Sequence, residues 1–351
     1  MKQGWEIKKL EAVCDIINGR NQKMVECVDG AYPIYGSGGI MGYASQFLCK
    51  AGTTIIGRKG TINKPIYVEE PFWNVDTAFG FQPKSTLNSK LLYYFCLHFD
   101  FLKLNKGTTI PSLVKADLLQ IDMPYTPSIA EQQRIVEILD REFERIDALK
   151  ANAEQNLQHA KDLFQAALKQ ELQPKEGWYI STLQEMLKLT SGDNLTAKSI
   201  INGDYPVYGG NGIMGYHNQY NLDGINVIVG RVGALCGNVR LVKGKIWYTD
   251  NAFLVHDKKN IFYLPFLTYE LQNANLRQYA TQAAQPVVSN ASMKDVVLAV
   301  PPSIKEQEGI VARLEELNER CKALEENYKK TIALCDDMKQ ALLRKAFNGE
   351  L

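Results

Sequence analysis

Two kinds of hydrophobic pattern alternate along the chain. In the first, short clusters of β-branched and aromatic residues, such as Thr53-Thr54-Ile55-Ile56 and Ile225-Asn226-Val227-Ile228-Val229, are punctuated by glycines. Such clusters predict short strands joined by tight turns, and the segments 91–102 and 262–276 read as helices among them. The second pattern covers 128–172 and 303–351, where Gly and Pro almost vanish before the ends and Glu, Gln, Lys, Ala and Leu dominate. Apolar residues there recur near a seven-residue step. The core positions predicted for the first segment are Ile135, Leu139, Ile146, Leu149 and Leu163, with Ala153, Ala160 and Ala167 between or beyond them. For the second they are Ile310, Leu314, Leu317, Leu324 and Met338, with Cys321, Tyr328, Cys335 and Leu342. Sustained heptads favour helix-on-helix packing. The seam is interrupted by Glu142, Asn156 and Thr331. Each segment opens on a proline (Pro127, Pro302), with Ser128 or Ser303 three residues before Glu131 or Glu306, the spacing of a capping box.

These patterns occur twice because the chain is an internal duplication. Tyr32-Pro33-Ile34-Tyr35-Gly36 recurs as Tyr205-Pro206-Val207-Tyr208-Gly209, and Gly39-Ile40-Met41-Gly42-Tyr43 as Gly212-Ile213-Met214-Gly215-Tyr216. Gly57-Arg58 matches Gly230-Arg231, Asp76 matches Asp250, and Glu131-Gln132 matches Glu306-Gln307. The modules are therefore 1–172 and 173–351, each a head (1–127, 173–302) followed by a helix (128–172, 303–351). Connectivity makes the two helices antiparallel if they pack along their length. The expected fold is α+β: two duplicated globular α+β domains joined by two long antiparallel coiled-coil helices, related by a pseudo-two-fold axis. Helices of this length measure roughly 60–65 Å at 1.5 Å per residue, enough to hold two heads at a set distance.

Composition narrows the class. The chain has 351 residues, 23% charged and 45% hydrophobic, an ordinary globular balance. Charges are scattered through residues 1–20 and no apolar run approaches about 18 residues, so neither a signal peptide nor a membrane span is expected. Seven cysteines without a Cys-x-x-Cys pair fit free thiols in a soluble cytoplasmic protein. The net charge of +1 hides a division. The heads hold 14 basic against 11 acidic residues and 11 against 9, whereas the helix segments hold 6 against 9 and 9 against 10. Mildly basic heads sit on acidic arms.

Catalytic chemistry is not legible. The stretch 52–59 approaches a phosphate loop but lacks the Gly-Lys-Ser/Thr ending, and Met41 stands where a dinucleotide fingerprint needs its third glycine. The four histidines are scattered, with no metal-ligand spacing, and Asp76 and Asp250 read as turn-end acids. No catalytic or metal residue is assigned. What remains is binding. Arg58 and Arg231 lie in equivalent Gly-Arg-x-Gly turns, where a guanidinium can fork onto a phosphate or a guanine edge. Lys59, Lys64 and Arg240 lie nearby, Ser37 and Asn211 occupy the matching hairpin loops, and Tyr43 and Tyr216 offer hydroxyls and stacking faces. The competing reading of the arginines is a structural salt bridge, and that of the tyrosines is core packing.

Taken together, the duplicated head-and-helix plan, the openings Pro127–Gln132 and Pro302–Gln307, the Gly-Arg-x-Gly turns and the ending Ala346-Phe347-Asn348-Gly349-Glu350-Leu351 resemble the specificity subunits of type I restriction–modification systems. The resemblance implies that each head is a target recognition domain reading one half of a bipartite double-stranded DNA site. It implies that the helices set the spacer and dock two modification (methyltransferase) subunits, with restriction subunits joining through the complex. This chain would then be non-catalytic and without a cofactor, S-adenosylmethionine and ATP being bound only by partner subunits. The two heads match each other well, unlike those of many members. A stand-alone DNA-modifying enzyme would need motifs that are absent. A duplicated scaffold that binds no DNA is the alternative reading. Heads this weakly charged should bind DNA tightly only with their partners.

Overall fold

The computed structural model describes residues 4–351. The chain divides into two units, one running up to Glu154 and including Lys329–Leu351, the other Gln155–Tyr328. In the first unit β1 (Glu6–Lys9), α1 (Leu10–Val13) and β2 (Cys14–Asn18) lead into the hairpin of β3 (Tyr32–Gly36) and β4 (Gly39–Ala44). Then come β5 (Thr53–Gly57), β6 (Ile66–Val68), β7 (Trp73–Asn74), β8 (Ala78–Pro83), α2 (Ser89–His98), α3 (Lys115–Leu119) and β9 (Asp122–Tyr125). A four-stranded antiparallel sheet has the order β2-β8-β5-β6, and β4-β3-β7 forms a second sheet in which β3 and β7 run parallel. β1 pairs antiparallel with β9 from Glu6–Tyr125 to Lys9–Asp122, closing the head. The β-branched run of β5 is buried on both faces, which explains its lack of alternation. Asn88 caps α2 by accepting from the amides of Lys90 and Leu91.

The long helix α4 (Ile129–Glu171) follows, and the second unit repeats the order. It contains β10 (Tyr179–Thr182), α5 (Leu183–Met186), β11 (Leu187–Ser191), the hairpin β12 (Tyr205–Gly209) and β13 (Gly212–His217), β14 (Ile225–Gly230), β15 (Val239–Lys243), β16 (Trp247–Tyr248) and β17 (Ala252–Asp257). After α6 (Leu264–Asn273), α7 (Asn290–Met293) and β18 (Val297–Val300) comes the second long helix, α8 (Ile304–Asn348). The sheets β11-β17-β14-β15 and β13-β12-β16 copy those of the first unit strand for strand. The duplication is thus one of fold as well as of sequence.

Each unit's core takes in helix residues from both ends of the chain. In the first, Ile135, Val136 and Leu139 of α4 and Leu343, Ala346 and Phe347 of α8 join Phe81, Phe95 and Phe101 of the head. The Phe347 ring meets Phe95 edge-on at 5.5 Å. In the second, Leu168 and Leu172 of α4 and Ile310, Val311 and Leu314 of α8 surround Phe266 and Leu267. Within the first unit Arg134 donates to the Leu351 carbonyl, Asp147 pairs with Lys339 and Lys150 with Asp336, so the helices run antiparallel there.

One column of the heptad is as expected: Leu139, Ile146, Leu314, Cys321 and Cys335 are buried, as are Ala153 and Ala160. Ile135 and Ile310 are buried too, and Leu317 is half-buried. The second column falls one position later than predicted. Leu149, Leu163, Leu324 and Met338 are 48%, 51%, 40% and 40% exposed, whereas Lys150, Phe164, Glu325 and Lys339 are half-covered. The reason is electrostatic. Lys150 and Lys339 lay their methylene stems along the seam and end on Asp336 and Asp147, so charged residues occupy positions the apolar pattern had given to their neighbours.

The copies differ at one buried site of consequence. Where α2 carries Phe95, α6 carries Glu270, 5% exposed, with one oxygen accepting from the Ala299 amide at 2.7 Å and the other unpartnered. Burial pushes its carboxyl up to about 7. An acid whose pKa is raised by folding contributes stability below its unfolded value and loses it as pH rises through the folded value. The second unit should therefore lose about 3 kcal/mol between pH 4.5 and pH 8 on this account. Thermal melts should show Glu270→Gln more stable than the parent at pH 8 and level with it near pH 4.5. A gap that does not change with pH would contradict this.

Candidate nucleic-acid interface

Four backbone segments meet in each head, and hydrogen bonds lock them together. In the first head they are the β3–β4 turn, the Gly57-Arg58-Lys59-Gly60 turn after β5, the turn before β8 and the loop 105–113. The Arg58 amide donates to the Thr77 carbonyl (2.7 Å), Gly60 to Pro111 (2.9 Å), and the Leu113 amide to Arg58 (2.9 Å). The second head makes the same bonds: Arg231 to Asn251 (2.9 Å), Gly233 to Pro286 (2.9 Å) and Val288 to Arg231 (3.0 Å). Glycine is required at the contact points. A Cβ on Gly57 would lie 2.2 Å from the Thr61 carbonyl oxygen and one on Gly230 2.2 Å from that of Gly210. Gly60 and Gly233 adopt φ of +79° and +97°, the left-handed region that side chains avoid.

The arginines emerge from this frame in matching poses. The Arg58 guanidinium lies 5.9 Å over Phe79 and donates from Nη1 to the Asp76 carbonyl at 3.4 Å. That of Arg231 lies 5.4 Å over Phe253 and donates from Nη1 to the Asp250 carbonyl and the Ser191 hydroxyl, both at 3.3 Å. Among the described residues no carboxylate pairs with either one, so the structural salt bridge is not made. An aromatic face and a carbonyl orient each guanidinium without neutralising it. The remaining N–H groups of Arg58 are exposed and aligned for an anion or a base edge.

The other candidates divide. Ser37, half-buried, sits against the Gly57 turn; Lys59 is exposed and its backbone bridges to Ser112. Tyr43 and Tyr216, 48% and 51% exposed, stand on the outer strands β4 and β13 with Ile40, Met41, Ile213 and Met214, so they are surface groups rather than core. Lys64 is exposed further along the β5–β6 loop, beyond the four-segment cluster. Arg240 and Asn211 brace the hairpin. Arg240, its guanidinium pKa held down by burial, donates to the Asn211 carbonyl at 3.2 Å, and the Asn211 side-chain oxygen accepts from the Leu235 amide at 3.1 Å. Ser37 aligns with Gly210 and Asn211 with Gly38, so these two are neighbours in the repeat and not equivalents.

Two features escaped the sequence reading. One is the loop 105–113 with its counterpart 280–288, signalled only by Pro111 and Pro286 at the same offset as Gln132 and Gln307. The other is the part played by those glutamines, 0% and 1% exposed. Gln132 donates to the carbonyls of Thr126 (2.8 Å) and Thr86 (3.0 Å) and accepts from the Asn88 amide (2.7 Å). Gln307 donates to Ile261 (2.8 Å) and Pro301 (3.4 Å) and accepts from Tyr263 (2.7 Å). They fasten each head to the first turn of its helix. The serines cap as expected, Ser128 accepting from the Glu131 amide (3.3 Å) and Ser303 from that of Glu306 (3.2 Å). In the first unit Lys90 and Tyr94 of α2 add a second tie, both bonding Asp140 of α4.

The family model described as the type I restriction modification DNA specificity domain matches the chain twice, over residues 2–159 and 175–334. The specificity subunit of the Escherichia coli type I restriction enzyme EcoprrI is 32% identical over 252 residues, covering 65% of this chain and 61% of its own length. That of EcoKI from Escherichia coli K12 is 23% identical over 343 residues, covering 84% and 73%. The chain thus spans 61% of the length of the first of these relatives. In fold it is similar to a chain from a structure concerned with assembly and conformational transition of the type I R-M system, with a TM-score of 0.83 at 16% identity over 100% and 99% of the two chains. The HsdS subunit from Thermoanaerobacter tengcongensis gives a TM-score of 0.61 at 17% identity over 100% and 98%.

Proposed function

Since the chain belongs to the family of type I restriction–modification DNA specificity proteins, we propose that it is the DNA sequence-recognition subunit of such a complex. Each head reads one half of a bipartite double-stranded site. The observation that carries this reading is the duplicated, unneutralised arginine on a rigid glycine turn, Arg58 and Arg231. A charge held in place without a carboxylate partner is suited to a phosphate or a guanine edge. The sequence identity to subunits named for specificity points the same way.

In this reading α4 and α8, of 43 and 45 residues, set the spacer between half-sites and dock two methyltransferase subunits, through which restriction subunits join. The chain performs no catalysis and carries no cofactor; S-adenosylmethionine and ATP belong to the partners. It works in the cytoplasm. No helix among the described residues is long and apolar enough to cross a membrane.

The test is methylation-site sequencing of cells expressing the chain with its modification subunits, alongside binding to duplex DNA over a salt series. A bipartite methylated motif and an affinity that falls steeply with salt are expected. DNA binding that ignores salt, or none with partners present, would favour the duplicated scaffold. Spacer length gives a second measurement. Four residues inserted between Glu154 and Gln155, matched by four between Tyr328 and Lys329, add about 6 Å of helix. The unread spacer should then grow by one or two base pairs at ~3.4 Å each, with both half-sites kept; an unchanged spacer would contradict the measuring role.

A further inference from the structure

Resting on the DNA-reading function above, we propose that the loops 105–112 and 280–287, with Lys59 and Val232 opposite them, determine how the two heads differ in base preference. The arginine frame beneath them is common to both. The duplication supplies an internal control: whatever is identical in the two heads cannot distinguish two half-sites. The arginines share their carbonyl partners, their aromatic supports and their backbone bonds. They anchor both heads alike.

The loops above the frame begin alike and then part. In each, one backbone rung closes the base, Lys106 to Ser112 (2.9 Å) and Thr281 to Val287 (3.0 Å). Beyond it the staples differ. In the first head the Asn105 side chain accepts from the amides of Gly107 (2.9 Å) and Ser112 (2.8 Å) and donates to the Gly107 carbonyl (3.0 Å). A Cβ on Gly107 would lie 1.9 Å from the Ile110 carbonyl oxygen, so this tip demands its glycine. In the second head the Thr281 hydroxyl accepts from the Val287 amide at 3.1 Å, and Gln282 stands where Gly107 does.

The exposed side chains follow suit. The first tip presents Thr108, Thr109 and Ile110, with Lys59 beside Ser112; the second presents Gln282, Ala283, Ala284 and Gln285, with half-buried Val232 beside Val287. These sets suit different base edges. A lysine donates to the O6 and N7 of guanine, and threonine and isoleucine methyls pack on thymine. Glutamine pairs with the N6 and N7 of adenine, and alanine contacts the thymine methyl.

The experiment transplants the loop with its staple. Residues 105–112 are replaced by the sequence of 280–287 together with Lys59→Val, the reciprocal exchange is made in the second head, and each full chain is expressed with its modification subunits. Methylated motifs are then sequenced. The parental motif should have two different half-sites. The first chimera should methylate the parental first half-site about tenfold less or worse, adopt a new preference there, and keep the second half-site and the spacer; the reciprocal chimera should mirror this. If a chimera fails to fold, Thr108→Gln with Ile110→Gln leaves Gly107 in place and should relax or shift the same half-site. Identical parental half-sites, or variants that methylate the parental motif undiminished, would overturn the proposal. Failure of the underlying reading looks different: the joint variant Arg58→Ala, Arg231→Ala would then methylate at the parental rate.

Discussion

Replacing Gln132 by leucine should destabilise the first unit by about 2–5 kcal/mol, the largest stability effect expected of any single polar side chain here. The side chain is fully buried and meets three backbone groups. Leucine fills the space but bonds none of them. The Thr86 carbonyl keeps the Tyr125 hydroxyl as a donor, while the Asn88 amide and the Thr126 carbonyl lose the partner Gln132 gives them. A buried group left without a partner costs about 1–3 kcal/mol, more than an ordinary hydrogen bond contributes. Gln132→Glu should be no better at neutral pH, because a carboxylate would face two carbonyl oxygens; acid should restore part of the loss, since a protonated carboxyl can donate to one of them. Urea unfolding followed by probes in each unit is the measurement. Gln132→Leu should move the first unit's transition and Gln307→Leu the second's. Shifts below the ~0.5 kcal/mol typical of surface substitutions would show that the clamp is not what holds head to helix.

The largest functional effect should come from the arginines. Arg58→Ala should weaken binding of the assembled complex to its DNA about 10–100-fold, the value of a charge-assisted hydrogen-bonded contact, and Arg231→Ala should do the same. Each removes about one phosphate contact, so the slope of log affinity against log salt should fall by about one per substitution. Folding should change little. Arg58 is exposed, and Arg231 carries a buried Nε without a partner, so alanine removes an uncompensated group there. Arg→Lys separates the two ways of using a guanidinium. Lysine recovers most of the binding if the contact is a phosphate seen as a point charge, and little if a fork onto guanine is needed. Alanine variants that bind and respond to salt like the parent would remove the arginine turns from the interface.

Much of this architecture was legible in advance. The duplication, the two long helices and the serine caps follow from repeated motifs and local chemistry, which a linear sequence displays directly. So does the arginine frame, because Gly-Arg-x-Gly states both a tight turn and the group it presents. What escaped depends on partners far away in the chain. Leu149 was placed in the seam over Lys150 because an apolar pattern cannot register a lysine stem that closes on Asp336. Glu131 drew attention through capping-box spacing, yet its neighbour Gln132 makes the buried contacts, with acceptors and a donor 6 to 46 residues away. Asn211 and Arg240, read as groups for DNA, spend part of their bonding capacity holding the hairpin. The loop 105–113 carries no compositional mark, since its place is fixed by backbone bonds to Arg58 and Gly60.

The composition of the first unit also dictates an order of events during synthesis. Its core needs Leu343, Ala346 and Phe347, which are translated after every residue of the second unit. The second unit, Gln155–Tyr328, is continuous in sequence and can close as soon as its last residue is available. The head that leaves the ribosome first is therefore completed last. Until then it exposes the apolar surface that α8 will cover, for a period of roughly ten to forty seconds at ordinary elongation rates of about 5–20 residues per second. A ribosome stalled before Lys329 would hold a finished second unit and an unfinished first one, and that nascent chain is the form chaperones and proteases would meet.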